Sequence, residues 1–85
     1  MKVRILYFAS LREKLGKDAE EIDLPAGVAT VAALRMHLRG RGGVFESSFS
    51  EKILLRSAVN QDMVQPTAAV KSGDEVAFFP PVTGG

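Results

Sequence analysis

Two consecutive prolines near one end limit any sheet that this chain can build. Pro80 and Pro81 have no backbone N–H to give to a ladder, so a strand reaching Phe79 must stop there. The pair also favours polyproline II, a stiff extended form that leads the chain away from the body. Val82, Thr83, Gly84 and Gly85 follow. Without a Cβ, the two glycines can enter a slot too narrow for any other residue. The six residues 80–85 reach roughly 20 Å at ~3.3–3.6 Å each. The chain therefore divides into a domain over residues 1–79 and a flexible tail over 80–85 that presents a carboxylate on a thin arm. Glycine-rich ends are often merely frayed, but this one is stiffened by Pro-Pro and preceded by a strand-like run.

Alternation defines the remaining strands. Over Lys2–Phe8, Val3, Ile5 and Tyr7 share one face while Lys2, Arg4, Leu6 and Phe8 share the other. The face with two charges is the solvent side, which strands Leu6 and Phe8 there. Ala9–Leu15 reads as a short helical turn, capped by Ser10 and closed by Gly16. Ala19–Leu24 is a second strand, ended by the Pro25-Ala26-Gly27 turn. Thr30 suits the N-cap of a helix to Arg39 in which Val31, Leu34 and Leu38 form one apolar stripe. Arg35 and Arg39 favour the negative end of its dipole, and Gly40 closes it. Residues 41–52 show little pattern beyond one turn around Val44–Phe49.

Ile53–Val59 reads as a third strand, and Asn60-Gln61-Asp62 as a tight turn into a brief strand at Met63–Val64. Pro66-Thr67 breaks that pairing, and Lys71-Ser72-Gly73-Asp74 turns into the last strand, Glu75–Phe79. There Val76 and Phe78 face one way, and Glu75, Ala77 and Phe79 the other. This order predicts an α+β fold, a mixed sheet of about five strands with one main covering helix. The crossover helix lets the first and last strands meet as parallel neighbours. Phe8 and Phe79 would then stand together at the root of the tail, an exposed aromatic pair that marks a partner surface. Met63 joins them as a candidate contact, because methionine packs adaptably.

A formal net charge of +1 gives no electrostatic reason to expect nucleic acid or a membrane surface. The opening residues run straight into strand-like alternation and no apolar stretch has membrane length, so a cytoplasmic location is expected. Cysteine is absent, which excludes disulfides, thiolate metal sites and a cysteine nucleophile in this chain. No metal site is expected. His37 is the only histidine, lies on the flank of the helix stripe, and has no second ligand spaced to match. Gly40-Arg41-Gly42-Gly43 follows a helix, where the dipole presents its negative end, so it reads as a cap and loop and not a phosphate cradle.

The run from Gly73 through Asp74-Glu75-Val76-Ala77-Phe78-Phe79-Pro80-Pro81-Val82-Thr83-Gly84 to Gly85 resembles the end of the molybdopterin synthase small-subunit family, ubiquitin-like β-grasp sulfur carriers. The Lys2–Phe8 strand with Ala9-Ser10-Leu11-Arg12-Glu13, the Thr30-Val31…Ala33-Leu34-Arg35 helix start, and Ala58-Val59-Asn60-Gln61 are similar to the same family in the same order. Residues 40–52 match none of its motifs. The resemblance implies a β-grasp fold and a mechanism centred on Gly85. An E1-like activating enzyme would adenylate its carboxylate with ATP, and a sulfur source would convert the acyl-adenylate to a thiocarboxylate. Pro80, Pro81, Val82, Thr83 and Gly84 would then insert into the large subunit of the synthase. There the sulfur passes to cyclic pyranopterin monophosphate during molybdenum cofactor biosynthesis. The implied assembly is a heterotetramer, with no cofactor bound to this chain and no activity in it alone. Two other roles fit a Gly-Gly tail. One is sulfur carriage for thiamin or tRNA thiolation, which the Phe-Phe-Pro-Pro-Val-Thr run argues against. The other is a ubiquitin-like modifier, which Thr83 weakens because such tails often carry Arg before Gly-Gly.

Overall fold

Strand β1 (Lys2–Tyr7) buries Val3, Ile5 and Tyr7, as the alternation requires. It pairs in parallel with β5 (Glu75–Phe79) and antiparallel with β2 (Ala19–Asp23). Strand β3 (Arg56–Val59) lies antiparallel on the other side of β5 and carries β4 (Asp62–Val64) at the far edge. The five strands run in the order β2-β1-β5-β3-β4 in this computed structural model, which describes residues 1–81. Central, parallel terminal strands are what the sequence pattern predicts, and with hairpins outside them they form the β-grasp arrangement that the family resemblance implies. Strand β5 ends at Phe79, and neither Pro80 nor Pro81 extends it.

One face of the sheet carries Val3, Ile5, Tyr7, Ile22, Val76 and Phe78 into a single apolar core. Helix α2 (Val31–Arg39) covers it with Val31, Leu34 and Leu38, and its first turn is capped by Thr30, whose Oγ1 accepts from the Ala33 N–H at 3.1 Å. Helix α1 (Ala9–Leu15) adds Leu11 and Leu15. The N-cap of α1 is Phe8, without a side-chain bond, and not Ser10. The chain turns at Ala9, whose φ of 55° is left-handed, so the strand stops at Tyr7 even though the Phe8 N–H still donates to Phe78 O.

The hairpin joining β3 and β4 turns on Asn60 and Gln61, both at positive φ, a two-residue loop whose twist matches that of its strands. Asn60 also clamps the turn to β5: its Oδ1 accepts from the Glu75 N–H and its Nδ2 donates to Asp74, both at 3.0 Å.

The stretch without a readable pattern contains helix α3 (Val44–Ser48) and Phe49, which is 0% exposed. Phe49 meets Tyr7 and Phe78 edge-on, with centroids 6.1 and 5.4 Å away, and Phe45 stacks on it. Ile53–Leu55 is not part of the third strand, contrary to the sequence reading. Arg35 captures its start by donating from Nε to Phe49 O (3.2 Å) and from Nη2 to Ser50 O and Ile53 O (both 2.6 Å). Across the ladder Arg56 pairs with Phe79, so Leu55 and Leu54 would lie opposite Pro80 and Pro81, which have no N–H to give, and pairing begins only at Arg56.

Candidate functional site

The helices leave the other face of the sheet open, and its strand register places an apolar row across all five strands. Ala19 pairs with Leu6, Leu6 with Ala77, Ala77 with Ala58, and Ala58 with Met63. Ala58 and Ala77 are nearly inaccessible although they lie outside the core cluster. On the side nearer the tail, Phe8 and Phe79 meet edge to face with centroids 6.5 Å apart, and Arg56 pairs with Phe79 across the ladder. On the other side runs a charged row, Glu21–Arg4–Glu75. The result is an apolar band with the aromatic pair at one margin, beside the place where the chain leaves the sheet.

Of the residues singled out from the sequence, Phe8 is 45% exposed and Met63 57% exposed, while Phe79 is half-buried beneath Phe8. The structure brings the two phenylalanines together and sets Met63 at the opposite end of the row, on edge strand β4. Pro80 and Pro81 are half-buried where the chain leaves β5. Val82, Thr83, Gly84 and Gly85 lie outside the described residues. Sequence reasoning missed Ala19, Ala58 and Ala77. Their parity was readable, but which alanine stands beside which depends on pairing between strands far apart in the chain.

A second cluster lies at the core side of the sheet. The Tyr7 hydroxyl donates to Glu20 Oε2 at 2.8 Å, and Arg41 Nη1 contacts both Glu20 oxygens at 3.0 and 2.9 Å. Lys17 approaches the same carboxylate at 3.6 Å, and the Arg41 guanidinium sits 4.9 Å from the centroid of the Phe45 ring. Burial first, then the bond and charge of Glu20, push the Tyr7 phenol well above its ordinary range, so it stays protonated. For Glu20, burial opposes ionisation, but the bonds from Arg41 and Tyr7 and the charges of Arg41 and Lys17 outweigh it and hold the carboxyl below its ordinary value. The cluster ties the α3 segment to β1 and β2. A depressed carboxyl stabilises the fold above its unfolded pKa of roughly 4.3, and that contribution disappears as pH falls through the folded value. Urea unfolding of Glu20→Gln and the natural chain should therefore show a wide stability gap at neutral pH that narrows below about pH 4. A gap independent of pH would mean that the charge of Glu20 contributes nothing.

Among the described residues no group of three or more His, Cys, Asp or Glu side chains is placed to hold a metal ion. No described helix is long and apolar enough to cross a membrane.

Comparison with known proteins supplies an independent line. The sequence pattern of the ThiS family matches residues 5–85. The molybdopterin synthase sulfur carrier subunit of Haemophilus influenzae is 46% identical over 83 residues, which cover 98% of this chain and 99% of that protein. A solved structure from Pyrococcus furiosus, provisionally named molybdopterin converting factor subunit 1, superposes with a TM-score of 0.78 at 35% identity, covering 96% of this chain and 99% of the other. A complex of subunits 1 and 2 of molybdopterin-converting factor from Helicobacter pylori contains a chain with the same fold, at a TM-score of 0.66, 20% identity and full coverage of both chains.

Proposed function

We propose a sulfur-carrier function from one premise: the chain belongs to the ThiS family. Within that family it serves as the sulfur carrier subunit of a molybdopterin synthase, the role carried by its relative of 46% identity. The observation that carries the reading beyond the name is the open apolar row, which runs up to the aromatic pair where the chain leaves the sheet at Pro80.

The chemistry follows from what a carboxylate can do. It is a poor electrophile until one oxygen becomes a good leaving group. The Gly85 carboxylate attacks ATP, pyrophosphate leaves, and an acyl-adenylate forms on the activating enzyme. A sulfur donor then displaces AMP and leaves a thiocarboxylate, whose ionised sulfur is a strong nucleophile at neutral pH. The open face docks on the large subunit while residues 80–84 carry this sulfur to cyclic pyranopterin monophosphate. Tethering converts a bimolecular encounter into a positioned one. Acid and base catalysis belong to the large subunit, so the chain alone has no sulfurtransferase activity. Intact mass after incubation with activating enzyme, ATP and a sulfur donor tests this reading. Replacement of one oxygen by sulfur at Gly85 is expected, and an unchanged mass would overturn it.

The docking face has its own test. Phe79→Ala removes the half-buried member of an aromatic pair whose edge-to-face contact contributes about 0.5–1.5 kcal/mol to the fold beyond the area it buries. As an anchor of an interface, the same ring would fill a desolvated contact whose truncation costs about 2 kcal/mol. Titration calorimetry with the large subunit should show at least tenfold weaker binding, while the melting temperature falls by no more than about 10 °C. Unchanged binding with a large drop in melting temperature would instead place Phe79 in the core.

A further inference from the structure

The apolar row does not stop at Met63. That side chain also lines a groove of about 300 Å³ at the β3–β4 edge, shared with Leu54, Leu55, Arg56 and Pro66. Leu54 is 72% exposed, more than any other large apolar side chain among the described residues. Such exposure is unfavourable in the free chain, and Leu54 contributes little packing to the fold. Its position is set from beneath. The three bonds from Arg35 to the carbonyls of Phe49, Ser50 and Ile53 fix the course of the chain up to the residue before Leu54. The Ile53 N–H is also taken, by Ser50 O at 2.9 Å.

We propose that the Leu54 groove, set in position by Arg35, is the outer rim of the docking surface and takes an apolar loop of the synthase large subunit. The inference rests on the reading of the open face as the large-subunit interface and extends it around the sheet edge. One observation supports this occupant. The groove shares Met63 with the apolar row, so one partner surface can cover both without a break. A stable interface engages roughly 20–30 residues a side, and the groove adds Leu54, Leu55 and Pro66 to the apolar surface that the row, Phe8 and Phe79 begin. Arg35 acts here through Leu54 and not by contact with the partner, which makes it a positioning residue. A lysine would not replace it, because a single ammonium cannot reproduce the planar fork that reaches three carbonyls.

The test is a double-mutant cycle with the full chain and the large subunit, read by titration calorimetry alongside thermal melts. Leu54→Ser is expected to weaken binding about tenfold without changing the melting temperature. Arg35→Lys should weaken binding to a similar degree, and the double variant should bind no more weakly than Arg35→Lys alone, because both changes remove the same contact. Natural affinity for Leu54→Ser, in an experiment where Phe79→Ala loses affinity, would place the groove outside the interface and overturn the proposal. Natural affinity for both would overturn the interface reading itself. Losses that add in the double variant would leave Leu54 at the interface and overturn the positioning role of Arg35.

Discussion

A chain without Gly85 is expected to melt like the natural protein and to restore no molybdopterin synthesis. The carboxylate that remains would sit on Gly84, one residue short, up to about 3.3–3.6 Å from its place. Catalysis by positioning requires reacting atoms within roughly 3–3.5 Å, so a displacement of that size removes nearly the whole effect. Gly84→Leu should fail for a different reason, because the Cβ and branches prevent entry into a slot shaped for glycine. Stability should be untouched in both variants, since the core cluster of the described residues ends at Phe78 and the last ladder residue is Phe79. Thermal melts and a complementation assay on the same preparations decide the matter. Restored synthesis by either variant would sink the tail mechanism, and a lowered melting temperature would mean that the tail packs on the domain.

Phe49→Ala is expected to produce the largest loss of stability of any single change in residues 40–52. The ring is fully buried, meets Tyr7 and Phe78 edge-on and stacks with Phe45. Truncating a buried phenylalanine costs about 3–5 kcal/mol, and a domain of this size has a total of only about 5–15 kcal/mol, with small ones toward the lower end. The variant should be largely unfolded at moderate urea, where the natural chain remains folded. Circular dichroism against denaturant measures it. A loss below about 1 kcal/mol would mean that the α3 segment closes over the cavity without penalty.

The elements that the sequence predicted best are those whose evidence is local. Alternation in Lys2–Tyr7 and Glu75–Phe79 separates core from open face residue by residue, because successive side chains in a strand point to opposite sides. Thr30 and the Val31, Leu34 and Leu38 stripe mark helix α2 from cap to core. Pro80 and Pro81 mark the end of β5 on chain chemistry alone. Where local signals were wrong, a distant group had intervened. Ile53–Leu55 has the composition of a strand, but the register that pairs Arg56 with Phe79 sets Leu55 opposite Pro80, and the Ile53 carbonyl goes to Arg35, eighteen residues away. Phe49 sat in a stretch with no period, and only the approach of Tyr7 and Phe78 from both terminal strands makes it core.

The candidate site divides in the same way. The chemistry proposed for it, sulfur carried on the Gly85 carboxylate, rests on the order of residues alone. Its docking surface does not. Ala19, Leu6, Ala77, Ala58 and Met63 come from five strands, and they form one row only because parallel pairing of β1 with β5 sets the register of the rest. A sequence specifies which way each side chain points, since that depends on a two-residue repeat within one strand. Which side chains become neighbours depends on contacts between distant segments, and these exist only after the core has chosen how the strands pair.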